Sequence, residues 1–262
     1  MNLIFYGDIV GRSGREVITR LTPQLRAEFA LDAVIANVDN AAGGFGVTAE
    51  NCKQLKAAGV DIFTGGDHIW DQKDAHQLVE SEPALLRPHN FPPTTAGSGC
   101  KLFTLKSGKK LLILHLLGQV FHKEYLDSPF TCAQSALAGY TLGKNVDAIL
   151  VDMHCEATSE KCAMGIFLDG KVSAVVGTHT HIPTADSRIL KGGTAYQTDT
   201  GMCGNYDSII GFDPTAPMQQ FLGKMRRIRM EPASGNGTLS ALFVETDDTT
   251  GLAKRVEYIQ RQ

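Results

Sequence analysis

LIFYGDIVG, residues 3–11, indicates the fold class of this chain, because a short apolar run ends there in a glycine and an acidic residue. The first four residues predict a buried strand, and Gly7 and Asp8 end it in a loop. Residues 12–29 follow with apolar side chains at helical spacing, namely Val17, Leu21, Leu25 and Phe29. This succession of strand, loop and helix is typical of an α/β protein.

The same succession recurs along the chain. Further apolar runs predict strands at residues 33–38, 62–63, 148–151 and 172–176. Helical spacing predicts helices at residues 48–58, 132–142 and 159–168. Two pairs of segments alternate like antiparallel strands, 101–105 with 110–116 and 240–245 with 253–260. We therefore expect a single domain over residues 1–262, built from two layered sheets with helices on the outside.

Composition and charge limit the classes of protein to which the chain can belong. Its 262 residues are 43% hydrophobic and 20% charged, which is ordinary for a globular protein with a full core. A net charge of −3 provides no broad basic field, so we expect no long nucleic acid as a partner. Any nucleic-acid substrate should be small. The oligomeric state stays open, with a homo-oligomer as one alternative.

Other sequence features bear on the compartment of the protein. The N-terminal segment lacks the basic start and long apolar run of a signal peptide. No segment approaches the ~18 uninterrupted apolar residues that a membrane helix needs. The six cysteines are scattered without a CxxC pair, which is typical of reduced thiols. We expect a cytoplasmic protein that does not enter a membrane.

Side chains with metal-binding atoms follow five of the predicted strands. They are Asp8, Asp39 with Asn40, Asp67 with His68, His154, and His179 with His181. A single Asp after a strand is more often a turn or capping residue, so the prediction depends on their co-occurrence. The carboxyl ends of strands are where ligands collect in α/β sheets. Imidazole with carboxylate favours Zn, Fe, Mn, Co or Ni over Ca. If residues 179–181 are extended, both imidazoles point the same way.

A cluster of this composition suits phosphoester hydrolysis. Two metals about 3.5–4 Å apart, joined by a carboxylate, would both bind a phosphate oxygen and turn a bridging water into hydroxide. Each ligating imidazole needs a hydrogen-bond partner for its second nitrogen. The acidic candidates close in sequence are Asp71, Asp152, Glu156 and Asp186.

The segments around these residues form a series of motifs. The main ones are GDIVG (7–11), DNAAG (39–43), GDHIWD (66–71), HCEATSEK (154–161) and GTHTH (177–181). Further stretches are RPHNFP (87–92), LGQVF (117–121), TDTGM (198–202) and YDSIIG (206–211). In order and spacing, over nearly the whole chain, they resemble the YmdB-type calcineurin-like metallophosphoesterases. The resemblance implies a four-layer α/β/β/α sandwich with two mixed sheets. It also implies cleavage of phosphodiesters, with 2′,3′-cyclic nucleotides as substrates.

The resemblance further implies a role for each candidate residue. It makes Asp39 the carboxylate that bridges two divalent transition-metal ions, Fe or Mn first and Zn as an alternative. The implied ligands are Asp8, Asn40 and His181 for the first ion, and Asp67, His154 and His179 for the second. His68 would stand beside the metals as the acid that protonates the leaving alkoxide, or as a cation that stabilises developing charge.

Two ligand positions depart from the family's usual pattern, which has Glu at the position of Asp39 and Asn at that of Asp67. An anionic ligand in place of a neutral amide should hold a metal more tightly but lessen its power to polarise phosphate. One alternative is therefore a regulatory protein that binds metal and nucleotide but turns over slowly. A metal-dependent amidohydrolase ranks last, because the first strand carries Gly7-Asp8-Ile9 where that class has His-x-His.

Overall fold

Two six-stranded mixed sheets form the centre of the protein in a computed structural model that describes residues 1–122, 126–223 and 229–262. The helices are α1 (Gly11–Glu28), α2 (Ala49–Ala57), α3 (Ala75–Ser81), α4 (Pro129–Leu137), α5 (Thr158–Leu168) and α6 (Thr215–Phe221). The strands are β1 (Asn2–Tyr6), β2 (Asp8–Ile9), β3 (Ala33–Asn37), β4 (Ile62–Thr64), β5 (Leu85–Leu86), β6 (Cys100–Thr104), β7 (Lys110–Leu117), β8 (Ala148–His154), β9 (Ala174–Thr178), β10 (Arg188–Ile189), β11 (Ala195–Gln197), β12 (Met202–Cys203), β13 (Leu239–Thr246) and β14 (Ala253–Arg261).

Both sheets are mixed, with antiparallel pairing at one margin of the first sheet and at both margins of the second. The first has the order β14-β13-β1-β3-β4-β5, with β1, β3, β4 and β5 parallel and β13 antiparallel to both neighbours. The second has the order β10-β11-β9-β8-β7-β6, with antiparallel β10 and β6 at its two edges. The parallel strands of each sheet therefore present their carboxyl ends at one edge, where ligands bind in α/β proteins.

Alternating side chains on β1 explain the layered packing. Leu3 and Phe5 belong to the core between the two sheets, whereas Ile4 and Tyr6 belong to the core between the first sheet and helices α1 and α2. The second sheet packs in the same way against α4 and α5 on its own outer face. Because both faces of each sheet are covered, its strands are nearly continuous apolar runs. The predicted four-layer α/β/β/α sandwich is confirmed.

Most elements lie where the sequence pattern predicts them. The segments 101–105 with 110–116 and 240–245 with 253–260 do form antiparallel pairs. The predicted helix at 132–142 is wrong at both ends, because α4 begins at Pro129, whose fixed φ suits a first turn, and stops at Leu137. The spacing misses α3 and α6, since seven residues are too few to show helical periodicity. Within the described ranges, no helix combines the length and apolar character needed to cross a membrane.

Candidate metal centre

Loops at the carboxyl ends of five strands bring the eight predicted site residues into one cluster. The strands and the residues that end or follow them are β1 with Asp8, β3 with Asp39 and Asn40, β4 with Asp67 and His68, β8 with His154, and β9 with His179 and His181. Every one of these side chains lies within 3.9 Å of another member of the group. The carboxyl edges of the two sheets therefore share a single site.

Three ligand atoms form a triangle suited to one metal ion. Asp67 Oδ1 lies 3.1 Å from His154 Nε2 and 3.3 Å from His179 Nδ1, and the two imidazole nitrogens are 3.2 Å apart. With metal–ligand bonds of about 2.0–2.2 Å, neighbouring ligand atoms around an ion lie about 3.0–3.5 Å apart. The observed sides fall within that interval, so these residues could hold a metal without rearrangement.

A second group of possible ligands is enclosed more deeply. His181 Nε2 lies 3.1 Å from Asn40 Oδ1 and 3.9 Å from Asp8 Oδ1. His181 Nδ1 donates to the carbonyl oxygen of Ile210 at 2.7 Å, and Asn40 Nδ2 donates to that of Gly44 at 2.9 Å. Because their donor atoms are used on the backbone, the lone pairs of Nε2 and Oδ1 remain directed at a common point.

Asp39 lies between the two groups. Its Oδ2 accepts a hydrogen bond from the His68 backbone N–H at 3.1 Å and lies 3.5 Å from His154 Nε2. Its Oδ1 is buried and, like Asp8 Oδ1, has no hydrogen-bond partner among the described residues. Buried carboxylate oxygens are normally hydrogen-bonded or paired with a cation. The donor set and these two oxygens therefore fit a site for divalent metal ions.

The carboxylates of the cluster have opposite pKa shifts. Burial, reinforced by nearby acidic side chains, raises the pKa of Asp8 to about 8. Burial and the charge of Asp67 raise the pKa of Asp39 well above its usual value. Burial acts in the same direction on Asp67, but its contacts with the imidazoles of His154 and His179 outweigh it and lower its pKa. A cation bound beside Asp8 and Asp39 would stabilise their charged forms, which burial disfavours.

His68 stands at the open side of the cluster rather than inside the triangle. Its side chain is 31% exposed, and its Nδ1 lies 2.8 Å from Asp71 Oδ2. Its Nε2 lies 3.7 Å from Asp67 Oδ2, and Phe45 packs edge-on against the ring with centroids 5.0 Å apart. Asp71 and Phe45 thus fix the ring with one nitrogen directed at the cluster.

The loop with the two histidines is not extended. The premise that alternation along an extended segment aligns the two imidazoles is therefore wrong. His179 has φ 98° and His181 has φ 65°, a region that side chains other than glycine rarely adopt. Asp199 holds the turn, because its Oδ2 accepts from the Thr180 backbone N–H at 3.2 Å and from Thr180 Oγ1 at 2.7 Å. Lys161 pairs with the same oxygen at 2.6 Å, and both of these charged side chains are buried. The strained turn brings both imidazoles to the cluster by a route that alternation does not predict.

The acidic neighbours predicted for the second imidazole nitrogens have mixed outcomes. Glu156 Oε2 lies 3.4 Å from His179 Nε2, and Asp152 reaches His154 through Thr178. Asp186, another of the acidic candidates, accepts hydrogen bonds from Thr184 and Thr198, and no contact with a ligating imidazole is seen among the described residues. His181 uses a backbone carbonyl, which side-chain identity alone could not reveal.

Several residues near the site were not singled out from the sequence as supporting groups. Asn37, Thr178 and Asp199 are buried polar side chains that hold site residues. Asn37 interrupts the apolar run of β3 two residues before Asp39, which is the one local signal that could have identified it. His122 lies where the sequence already suggests an approach to the site, and its ring packs against that of His179 with centroids 4.9 Å apart.

Comparison with known proteins gives matches over almost the full chain. The family model for YmdB-like proteins matches residues 4–259. The 2′,3′-cyclic-nucleotide 2′-phosphodiesterase of Bacillus subtilis (strain 168) is 40% identical over 259 residues, which cover 99% of this chain and 96% of that protein.

Solved structures agree with this result. A hypothetical protein from Thermus thermophilus is 36% identical with a TM-score of 0.91, covering 100% of this chain and 99% of the other. A novel phosphatase from Mycoplasma pneumoniae is 34% identical with a TM-score of 0.92, covering 100% and 93%. With a family model that matches nearly end to end and relatives well above 30% identity, the chain belongs to the YmdB-like protein family.

Proposed function

We propose that this protein is a dinuclear metal-dependent phosphodiesterase, a hydrolase that acts on small phosphodiesters. The observation that carries the proposal is the triangle of Asp67, His154 and His179 ligand atoms, whose sides of 3.1, 3.2 and 3.3 Å match one coordination sphere. That triangle would hold the second ion, and Asp8, Asn40 and His181 would hold the first ion in the more enclosed group. Asp39 lies between the groups and would bridge them.

The ions and the side chains have separate tasks in this reaction. When bound, two divalent ions supply Lewis-acid polarisation of the phosphate and an activated water. Asp8 and Asp39 would hold the ions and offset part of their positive charge. His154, His179 and His181 contribute neutral nitrogen ligands on rings whose other nitrogens are already occupied.

His68 is the residue we propose as the general acid. Its Nε2 is directed at the cluster while Asp71 holds Nδ1, so a proton on Nε2 can pass to the alkoxide that leaves the phosphorus. Asp71 and Phe45 position this ring but do not reach the reacting atoms themselves. The same imidazole, when protonated, would also offset the charge that develops on the phosphoryl oxygens.

We propose 2′,3′-cyclic nucleotides as the substrates. The name of the Bacillus subtilis relative gives that activity for that protein, at 40% identity over nearly the full length of both chains. The net charge of −3 offers no field for a long polyanion, which agrees with a small substrate. For the metals we propose Fe or Mn, with Zn as an alternative, because mixed imidazole and oxygen ligands suit each of them. Six unpaired cysteines support a reducing, cytoplasmic location.

Single-turnover hydrolysis tests this function. Metal-stripped protein is reloaded with Mn²⁺ or Fe²⁺, mixed in excess with 2′,3′-cyclic AMP, and the products are separated by chromatography. We expect a nucleoside monophosphate from the wild-type protein and none from His154→Ala. The isomer 3′,5′-cyclic AMP, tested in parallel, shows whether the five-membered cyclic phosphate is what the site selects.

The Asp67→Asn variant separates the enzyme from its alternative, a slow regulatory protein that retains metal and nucleotide. An amide oxygen at this position should bind metal less tightly and polarise the phosphate more. For an enzyme we expect product from both proteins at comparable rates. No product from the wild type, together with a large gain in Asp67→Asn, would favour the regulatory protein.

A further inference from the structure

A buried network of hydrogen bonds lies on the Nδ1 side of His154. Its centre is the Asp152 carboxylate, which is fully buried in β8. Four polar neighbours surround it, namely Thr64 Oγ1 at 2.6 Å, Thr178 Oγ1 at 2.7 Å, Asn37 Nδ2 at 3.1 Å and His115 Nδ1 at 3.3 Å. The carboxylate accepts hydrogen bonds from the two hydroxyls and the amide, whereas His115 Nδ1 hydrogen-bonds to the backbone carbonyl oxygen of Asp152, also at 3.3 Å.

Thr178 lies between Asp152 and His154, and its hydroxyl contacts both. A threonine hydroxyl has one proton, and Thr178 donates it to Asp152 Oδ1. Toward His154 Nδ1, 2.8 Å away, the same oxygen can therefore only accept. A ring proton must therefore lie on Nδ1, and in the neutral ring this leaves the lone pair on Nε2, which lies 3.1 Å from Asp67 Oδ1.

Asn37 does not change this assignment. Its Nδ2 also lies near His154 Nδ1, at 3.4 Å. Its two protons go to closer acceptors, the carbonyl oxygen of Gly65 at 2.7 Å and Asp152 Oδ2 at 3.1 Å. The hydroxyl of Thr178 is thus the group that determines the position of the proton on the ring.

We infer that Thr178 and Asp152 are positioning residues that lock His154 in the tautomer whose Nε2 lone pair faces the second metal. The inference rests on the proposed metal site but not on turnover. A proton on Nε2 would remove one of the three ligands in the triangle. Loss of such an outer hydrogen bond typically costs about 10–100-fold in metal affinity.

Three variants test the hydroxyl itself. Thr178→Val keeps the shape of the side chain and removes the hydroxyl, whereas Thr178→Ser keeps the hydroxyl. Thr64→Val is the matched control, because it removes another buried hydroxyl whose hydrogen bond goes to the same carboxylate and not to His154. Mn²⁺ binding to metal-stripped protein is measured by competition with a chelator, in the absence of substrate.

We expect Thr178→Val to bind the second ion about 10–100-fold more weakly, with the first ion little changed. Thr178→Ser should bind near the wild-type value, and Thr64→Val should lose much less than Thr178→Val. Equal losses in the two valine variants would overturn the inference, because the effect would then belong to Asp152 alone.

The tautomer can also be observed directly in the wild type. Nitrogen-15 NMR of His154 in metal-free and Zn²⁺-loaded protein should place the proton on Nδ1 in both states. An unprotonated Nδ1 in the metal-free protein would refute the lock, even if a valine variant fails to fold. If the wild type binds fewer than two ions, the proposed metal site fails. If it binds two and Thr178→Val binds them equally well, the inference alone fails.

Discussion

By exposure to solvent, rather than by the ion that each would hold, the clustered residues divide into an inner group and an outer group. The inner group, Asp8, Asp39, Asn40, His154 and His181, is almost completely buried. The outer group, Asp67, His68 and His179, has side chains that are 19%, 31% and 23% exposed. The pKa values of the inner carboxylates Asp8 and Asp39 are raised, and that of the outer carboxylate Asp67 is lowered. Burial therefore disfavours the charged forms of Asp8 and Asp39 in the absence of a cation, whereas the outer side chains remain accessible to solvent.

Removal of an inner histidine should have the greatest consequence. In His154→Ala we expect the second metal to be lost and kcat/KM to fall by about 10³-fold or more, since a catalytic metal supplies several kcal/mol. Elemental analysis of the purified variant measures the metal content. His76→Ala is a suitable control, because His76 stacks on Trp70 and is not among the clustered residues. Two ions per chain in His154→Ala would contradict the ligand assignment.

Removal of an outer histidine should affect rate rather than metal. We expect His68→Ala to keep both ions and to lower kcat by about 10²–10⁴-fold, the usual contribution of a general acid. Steady-state kinetics beside elemental analysis separates the two effects. Asp71→Asn, which alters only the partner of Nδ1, should lower kcat less. A His68→Ala protein that loses metal in proportion to activity would place His68 among the ligands instead.

The buried pair behind the histidine turn links the two groups, because residues 179 and 181 belong to different groups. Lys161→Met would leave Asp199 buried without its partner, and we expect a loss of about 3–5 kcal/mol in the free energy of unfolding. Denaturant unfolding measures it. Lys171→Met changes an exposed lysine of the same region and should have little effect. A stable Lys161→Met protein with normal metal content would show that the turn is held by other contacts.

The smallest of these effects should appear in the way the thermal stability of the metal-free protein depends on pH. Because the pKa of Asp8 is raised from 3.8 to about 8, its protonated form is favoured in the folded state. The contribution of Asp8 to the free energy of unfolding is therefore fully present below pH 3.8 and is lost as the pH rises toward 8. Thermal unfolding after chelation should show a midpoint several degrees lower at pH 8 than at pH 6. Added metal or Asp8→Asn should flatten this dependence, and a midpoint that rises with pH would contradict it.

Local patterns predicted much of the fold and most of the clustered residues. The alternation and apolar runs of β1, β3, β8 and β9 gave the strands, because fully buried strands leave a strong local signal. The polar residues just after those strands identified the cluster. The short helices α3 and α6 and the ends of α4 were missed, since few residues carry too little periodicity.

The sequence by itself determined which residues belong to the cluster and in what succession the main strands follow along the chain, because an apolar run and the polar side chain after it are visible locally. The tertiary structure determined what surrounds each of them. Asp152 and Thr178 meet Asn37 across more than one hundred residues of chain, and Asp199 holds a turn with positive φ at His179. Burial and hydrogen-bond geometry depend on such long-range contacts. They give Asp8 and Asp67 opposite pKa shifts and place the proton of His154, which no local pattern encodes.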